Sequence, residues 1–168
     1  MRGMCFSAQV EQKLKTLQRK HGAKVDTKAF AHLFAARLEN KAIKIPKGME
    51  ANWDQPDSAE DEQIHDLIAQ YRQAKAQELE TDLFKQKKRL ADAQRKLQTK
   101  ETKTARENER IATKKIRWSL KTLEDLRRTE PQESDSRIFP FQYAPVVIRE
   151  HGENIIRPMR YHCRPAGK

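Results

Sequence analysis

Cys5 stands one position behind a second methionine, in the run Met4-Cys5-Phe6-Ser7-Ala8-Gln9. Translation from Met4, followed by trimming of that methionine, would leave Cys5 with a free α-amino group and a thiol on adjacent carbons. A 1,2-aminothiol of this kind condenses with aldehydes as no internal cysteine can. The amine forms an imine, and the thiol closes on it to give a five-membered thiazolidine. Translation from Met1 removes the chemistry, because Arg2 is too large for ordinary methionine trimming and Cys5 then stays internal. The alternative reading is an ordinary half-buried thiol near a frayed terminus.

No other group of residues offers comparable chemistry. His21, His32, His65, His151 and His162 are scattered and form no HExxH, and His162 beside Cys163 lacks a third nearby ligand. No metal site and no cofactor are expected. Five glycines form neither GxGxxG nor a phosphate loop. Trp53 and Trp118 read as packing residues, and His32 and His65 as residues on polar helix faces. Cys5 and Cys163 show neither a disulfide framework nor metal-ligand spacing, which predicts a reducing cytoplasm.

The charge is unevenly placed. Residues 1–82 hold 13 Lys/Arg against 13 Asp/Glu, residues 83–128 hold 16 against 6, and residues 129–168 hold 6 against 5. One segment therefore carries nearly all of the net charge of +11. Such a local excess points to a polyanion, most simply nucleic acid, through phosphate neutralisation. The bland reading is a solvated helical face. No apolar run approaches the ~18–20 residues of a membrane span, so no membrane partner is expected.

Positioning falls to elements that periodicity outlines. Ser7 can cap a helix running to about Lys20, with Val10, Leu14 and Leu17 on one stripe and His21-Gly22 ending it. Asp26 or Thr27 caps a second helix carrying Phe30, Leu33, Phe34 and Leu38. Residues 40–57 read as loop and short turns around Pro46, Gly48 and Pro56, with Ile43, Ile45, Met49 and Trp53 pinning them to the core. A long helix from about residue 58 to 99, roughly 60 Å at ~1.5 Å per residue, carries Ile64, Leu67, Ile68 and Tyr71. Leu83, Leu90 and Leu97 follow at heptad spacing. Ile116, Leu120 and Leu123, with Ile111 and Leu126, continue the pattern after a polar break. Residues 78–100 and 104–128 thus predict a protruding antiparallel hairpin. Because the heptad's partner lies next in sequence, the chain is expected to be a monomer. Beyond the polar linker 130–136, Val146-Val147-Ile148 and Ile155-Ile156 flank His151-Gly152-Glu153, a β-hairpin signal. The expected fold is α+β: a helical segment 1–57, a long helix and basic hairpin 58–129, and the first strands of an incomplete β-core in 130–168. Two strands cannot close a sheet, so either they join strands from elsewhere or the domain is truncated.

Several runs together resemble one family. These are Met4-Cys5-Phe6-Ser7-Ala8-Gln9, Ser136-Arg137-Ile138-Phe139-Pro140, Tyr143-Ala144-Pro145-Val146, and Pro158-Met159-Arg160-Tyr161-His162-Cys163-Arg164-Pro165-Ala166-Gly167. The chain is similar to the N-terminal part of an SOS response-associated peptidase (SRAP) domain, in a bacterial branch with a charged helical insertion. The resemblance implies sensing of abasic sites in single-stranded DNA, with Cys5 capturing the ring-opened sugar as a thiazolidine crosslink. It further implies self-removal of the leader Met1 to Met4, and carries Arg160 over as a DNA-facing residue; a charged strand residue on a solvated face is the other reading of Arg160. Tyr143 and Tyr161 flank the hairpin that would face DNA. Complete members continue to Tyr-Asn-Ala-Arg, Phe-Tyr-Glu and a catalytic histidine, none of which occurs in residues 1–168, and Asn154, His151 and His162 do not match those contexts, so the activity of this chain is expected to be impaired. The readings of other classes are a non-catalytic nucleic-acid-binding helical protein and an inactive gene fragment.

Overall fold

The computed structural model describes residues 7–162. It is an α+β fold of five α-helices with two small sheets. The elements are β1 (Ala8–Gln9), α1 (Leu14–His21), β2 (Lys24–Val25), α2 (Thr27–Glu39), α3 (Lys47–Glu50), α4 (Ala59–Thr99), α5 (Lys103–Arg127), β3 (Arg137–Ile138), β4 (Tyr143–Glu150) and β5 (Glu153–Arg160). Two compact units form. The first joins residues up to 71 with those from 130 onward, and the second is residues 72–129. Among the described residues, no helix is long and apolar enough to cross a membrane.

In the first unit, Phe30 and Phe34 of α2 pack against Trp53, with ring centroids 5.0 and 5.4 Å apart. Leu14, Leu17, Met49, Ile64, Ile68 and Ile156 complete this core. Ile45, Met49 and Trp53 do hold the 40–57 segment down, and Ile43 is half-buried. His65, half-buried, bonds through Nδ1 to the Trp53 carbonyl at 2.8 Å, so it anchors α4 rather than decorating a polar face. Beside the aromatics, Arg37 is buried with Glu50 as its ion-pair partner, and its guanidinium lies 3.8 Å from the Tyr71 ring centroid.

Ser7 does not open a helix. Residues 8–9 pair antiparallel with β3, Ala8 opposite Ile138 and Gln9 opposite Arg137, and α1 begins only at Leu14. The cap comes from far along the chain: Asn52 Oδ1 accepts the Leu14 N–H at 2.8 Å, while Asn52 Nδ2 donates to the Gln12 and Met49 carbonyls. That tertiary cap satisfies an orphan donor of the first turn, which a local serine was expected to do. The segment approaches closely because Gly48 has no side chain. A Cβ there would lie 2.7 Å from the Asp135 carbonyl oxygen.

Asp26 caps α2 as its type predicts, accepting the Ala29 N–H at 3.0 Å. Its other oxygen accepts from Arg157 Nε at 2.7 Å. That bond holds the Asp26 carboxyl below its ordinary pKa, against partial burial, which pushes it up. β4 and β5 form the expected hairpin, turning through His151 and Gly152 at φ 49° and 85°. Positive φ at both central residues is the primed turn that matches strand twist. The hairpin is not left as two strands. β2 adds in parallel beside β5, Lys24 opposite Ile155 and Val25 opposite Ile156, giving the order β2-β5-β4.

The second unit is an antiparallel helical pair. Arg89 donates to Asn108 Oδ1 at 3.1 and 2.6 Å, and Arg127 pairs with Glu80 at 3.1 Å. Thr102 caps α5 by accepting the Ala105 N–H. The buried stripe of α4 is Leu79, Gln86 and Ala93, with Leu83, Leu90 and Leu97 half-buried beside it. On α5 the buried positions are Ala105, Ala112, Ser119 and Leu123. Leu79, Gln86 and Ala93 recur at seven, as do Ala105, Ala112 and Ser119, with Leu123 four beyond, the 7-residue and 3–4 spacing of a coiled-coil seam. Aligning the two heptad series midway between these polar contacts sets Leu83 level with Ser119, Leu90 with Ala112 and Leu97 with Ala105, a large residue across from a small one each time. Leu120, expected on this seam, is instead about half exposed. The small residues hold the inner positions.

Candidate nucleic-acid interface

The turn entering β4 has a geometry its sequence disfavours. Gln142 N–H donates to the Phe139 carbonyl at 3.0 Å, closing a four-residue turn with Pro140 and Phe141 at its centre. Proline fixes the first central φ near −65°, and Phe141 has φ 73°. This is the pattern of a type II turn, whose third position belongs to glycine. A bulky L-residue there is a genuine outlier, costing roughly 1–2 kcal/mol of backbone strain. The surroundings hold it in place. Phe141 N–H donates to the Tyr161 carbonyl and Tyr161 N–H to the Gln142 carbonyl, both at 2.7 Å. Gln142 Oε1 also accepts the Phe139 N–H at 3.0 Å.

The strain is not repaid by burial, since Phe141 is 56% exposed. Its ring is gripped from two sides. The Arg160 guanidinium lies 5.7 Å from the ring centroid, within cation–π range, and His162 meets it edge-on at 5.0 Å. No carboxylate pairs with Arg160 among the described residues. Phe139 and Met159 are also about half exposed nearby in sequence. The result is an exposed apolar ring with a cation against it, the combination with which single-strand binders stack bases and hold phosphates.

The structure therefore puts Arg160 at the end of β5, opposite Tyr143 in the ladder, and gives it an aromatic partner. Tyr143 itself packs against the core. Cys5, residues 1–4, Cys163 and the run after it lie outside the described residues. Ser7, two residues beyond Cys5, is described: its Oγ lies 3.2 Å from Arg137 Nη1, which donates to it. Arg137 opens β3, which leads through Ile138 into the Phe139–Gln142 turn. Phe141 escaped sequence reasoning because no glycine marks the turn. The one signal was Pro140 preceding an aromatic that belongs to no apolar period.

In the second unit, Trp53's counterpart behaves differently from expectation. Trp53 is a core residue, but Trp118 is 56% exposed and is not a packing residue. Among the described residues, no cluster of His, Cys, Asp and Glu is placed to hold a metal ion. Comparison with family models, curated proteins and solved structures gives no match.

Proposed function

We propose that this protein captures abasic sites in single-stranded DNA, with Cys5 as the nucleophile once residues 1–4 have removed themselves, as in the SRAP class. The observation that carries the reading is Phe141: a strained, solvent-facing ring beside Arg160, which pairs with no carboxylate among the described residues, three residues after the strand that pairs with Ala8–Gln9. An abasic site leaves a gap in the stack, and a base beside the gap would rest on Phe141 while Arg160 meets the backbone phosphate. Capture then balances without oxidant or reductant. The Cys5 amine adds to the sugar aldehyde, water leaves as the iminium forms, and the thiolate adds to that carbon to close the ring. An α-amine of pKa ~7.7–8.0 and a thiol of ~8.5 make both groups serviceable near neutrality.

Intact-protein mass spectrometry after incubation with a single-stranded oligonucleotide bearing one abasic site tests this directly. The expected species begins at Cys5 and carries the DNA minus one water; Cys5→Ala forms none. Phe141→Gly tests the site separately. It should raise the unfolding midpoint by relieving the turn, while weakening single-strand binding about five- to hundredfold, the value of one stacked base. Salt-sensitive binding without any adduct would leave the non-catalytic nucleic-acid binder as the function.

A further inference from the structure

The helical pair carries a concentration of groups that capture at Cys5 does not use. Residues 83–91 and 111–123 contain no Asp or Glu and hold eight Lys/Arg: Lys85, Lys87, Lys88, Arg89, Lys114, Lys115, Arg117 and Lys121. Arg89 bonds Asn108; the other seven are exposed and engage no carboxylate. The heptad alignment midway between the Arg89–Asn108 and Glu80–Arg127 contacts brings these two stretches to one level. Arg117 comes level with Lys85, and Lys114 and Lys115 with Lys88 and Lys87. The seven cations thus lie within about 10 Å of helix at ~1.5 Å per residue.

Three large apolar side chains stand at that same level. Phe84 is 74% exposed, and Trp118 and Leu120 about half. Heptad geometry assigns them to two flanks. Phe84 and Leu120 share one with Lys87 and Arg117, and Trp118 shares the other with Lys85 and Lys115. Each flank therefore offers an apolar face among cations.

We propose that this girdle is a binding surface for single-stranded nucleic acid, independent of DNA damage and of Cys5. Charge complementarity selects a polyanion, and exposed rings select one that can present unpaired bases. The division between flanks selects flexibility. A strand with free backbone torsions can wrap a two-helix rod, whereas duplex DNA, with a persistence length near 50 nm, meets one flank at a time and keeps its bases stacked within. A second copy of the chain is disfavoured, because it would bring two such cationic girdles together.

The test uses the full chain with Cys5→Ala and Phe141→Gly, so that neither capture nor the turn contributes. Binding of an undamaged, end-labelled oligothymidylate of about 20 nucleotides is read by fluorescence anisotropy of the label, with tryptophan emission followed alongside, to which buried Trp53 contributes a constant background. Expected are quenching of Trp118, affinity falling steeply with salt, and at least about tenfold weaker binding on Phe84→Ala with Trp118→Ala. Lys114→Glu with Lys115→Glu and Arg117→Glu should flatten the salt slope by about 0.7 per engaged phosphate. If charge reversal disturbs helicity by circular dichroism, glutamine at the same three positions serves instead. An unchanged slope, an unquenched tryptophan, or a same-length duplex bound as tightly would overturn the proposal, as would selective binding of an acidic polypeptide such as polyglutamate. Adduct yield at saturating abasic DNA, measured in hairpin variants that retain Cys5 and Phe141, reports on capture alone, so the two readings fail separately.

Discussion

The first unit buries Phe30, Phe34 and Trp53 in one cluster, while the helical pair buries no aromatic residue at all: Phe84 and Trp118, its only two, both face solvent. The units also differ in how they treat cations. The first encloses Arg37 with Glu50 under an aromatic lid and ties Arg157 to both Asp26 and Glu150. The second pairs cations near its ends and leaves the middle of the rod unpaired. Its stability rests on a narrow seam of leucine against alanine and serine. A seam built of small and aliphatic residues, with Gln86 the one exception, frees the aromatic and charged ones for the surface. The lesson is that similar residue types do structural work in one unit and face outward in the other, and placement alone decides which.

Paired substitutions can break this contrast. Trp53→Ala should cost about 3–5 kcal/mol, the range for emptying a large aromatic site. Trp118→Ala should move the unfolding midpoint within the ±0.5 kcal/mol of an exposed position. Equal losses in urea titrations of the two variants would erase the distinction. Glu50→Ala strands the buried Arg37 charge and should cost about 3–5 kcal/mol, whereas Glu80→Ala, which breaks an exposed pair, should cost no more than about 1 kcal/mol. Ser119→Ala should stabilise the helical pair, on the order of 1 kcal/mol, because its hydroxyl is fully buried with no hydrogen-bond partner. A loss of helicity there would show that the seam needs the hydroxyl.

The smallest effect is a pH dependence. The Asp26 carboxyl titrates below its ordinary value through its bond to Arg157, so the folded state holds the charged form more strongly than the unfolded chain does. Its contribution is complete above the unfolded pKa and is lost as pH falls through the lower folded one. Asp26→Asn keeps the helix cap but removes that charge. Acid unfolding followed below about pH 4 should therefore be shallower in the variant than in the parent. Parallel curves would place the acid sensitivity elsewhere.

Much of the helical architecture was legible because its signals are local. The α2 cap, the long α4 helix, the polar break at residues 100–102 and the His151-Gly152 turn all follow from residue type and spacing. What escaped depended on distant partners. β1 and β2 are two residues long and exist through pairing with residues some 130 positions away. α1 begins where Asn52 reaches it, and a favourable local cap at Ser7 is overridden. The apolar period identified the helical pair but chose leucines for its inner seam, because alanine and serine carry little hydropathic signal. At the candidate site, Arg160 was marked by resemblance, while Phe141 and the exposed Trp118 emerged only with coordinates. A positive φ on an aromatic leaves no trace in composition.

The pairing of β2 with β5 also sets a timetable. During synthesis, residues 24 and 25 emerge early but must wait for residues 155 and 156 before their ladder can close. The helical pair, made of neighbours in sequence, can zip up on the ribosome long before. Vectorial production thus delivers the α4–α5 unit first and leaves Phe30, Phe34 and Trp53 without Ile156 until β5 has been made. That interval is when a chaperone would find this protein.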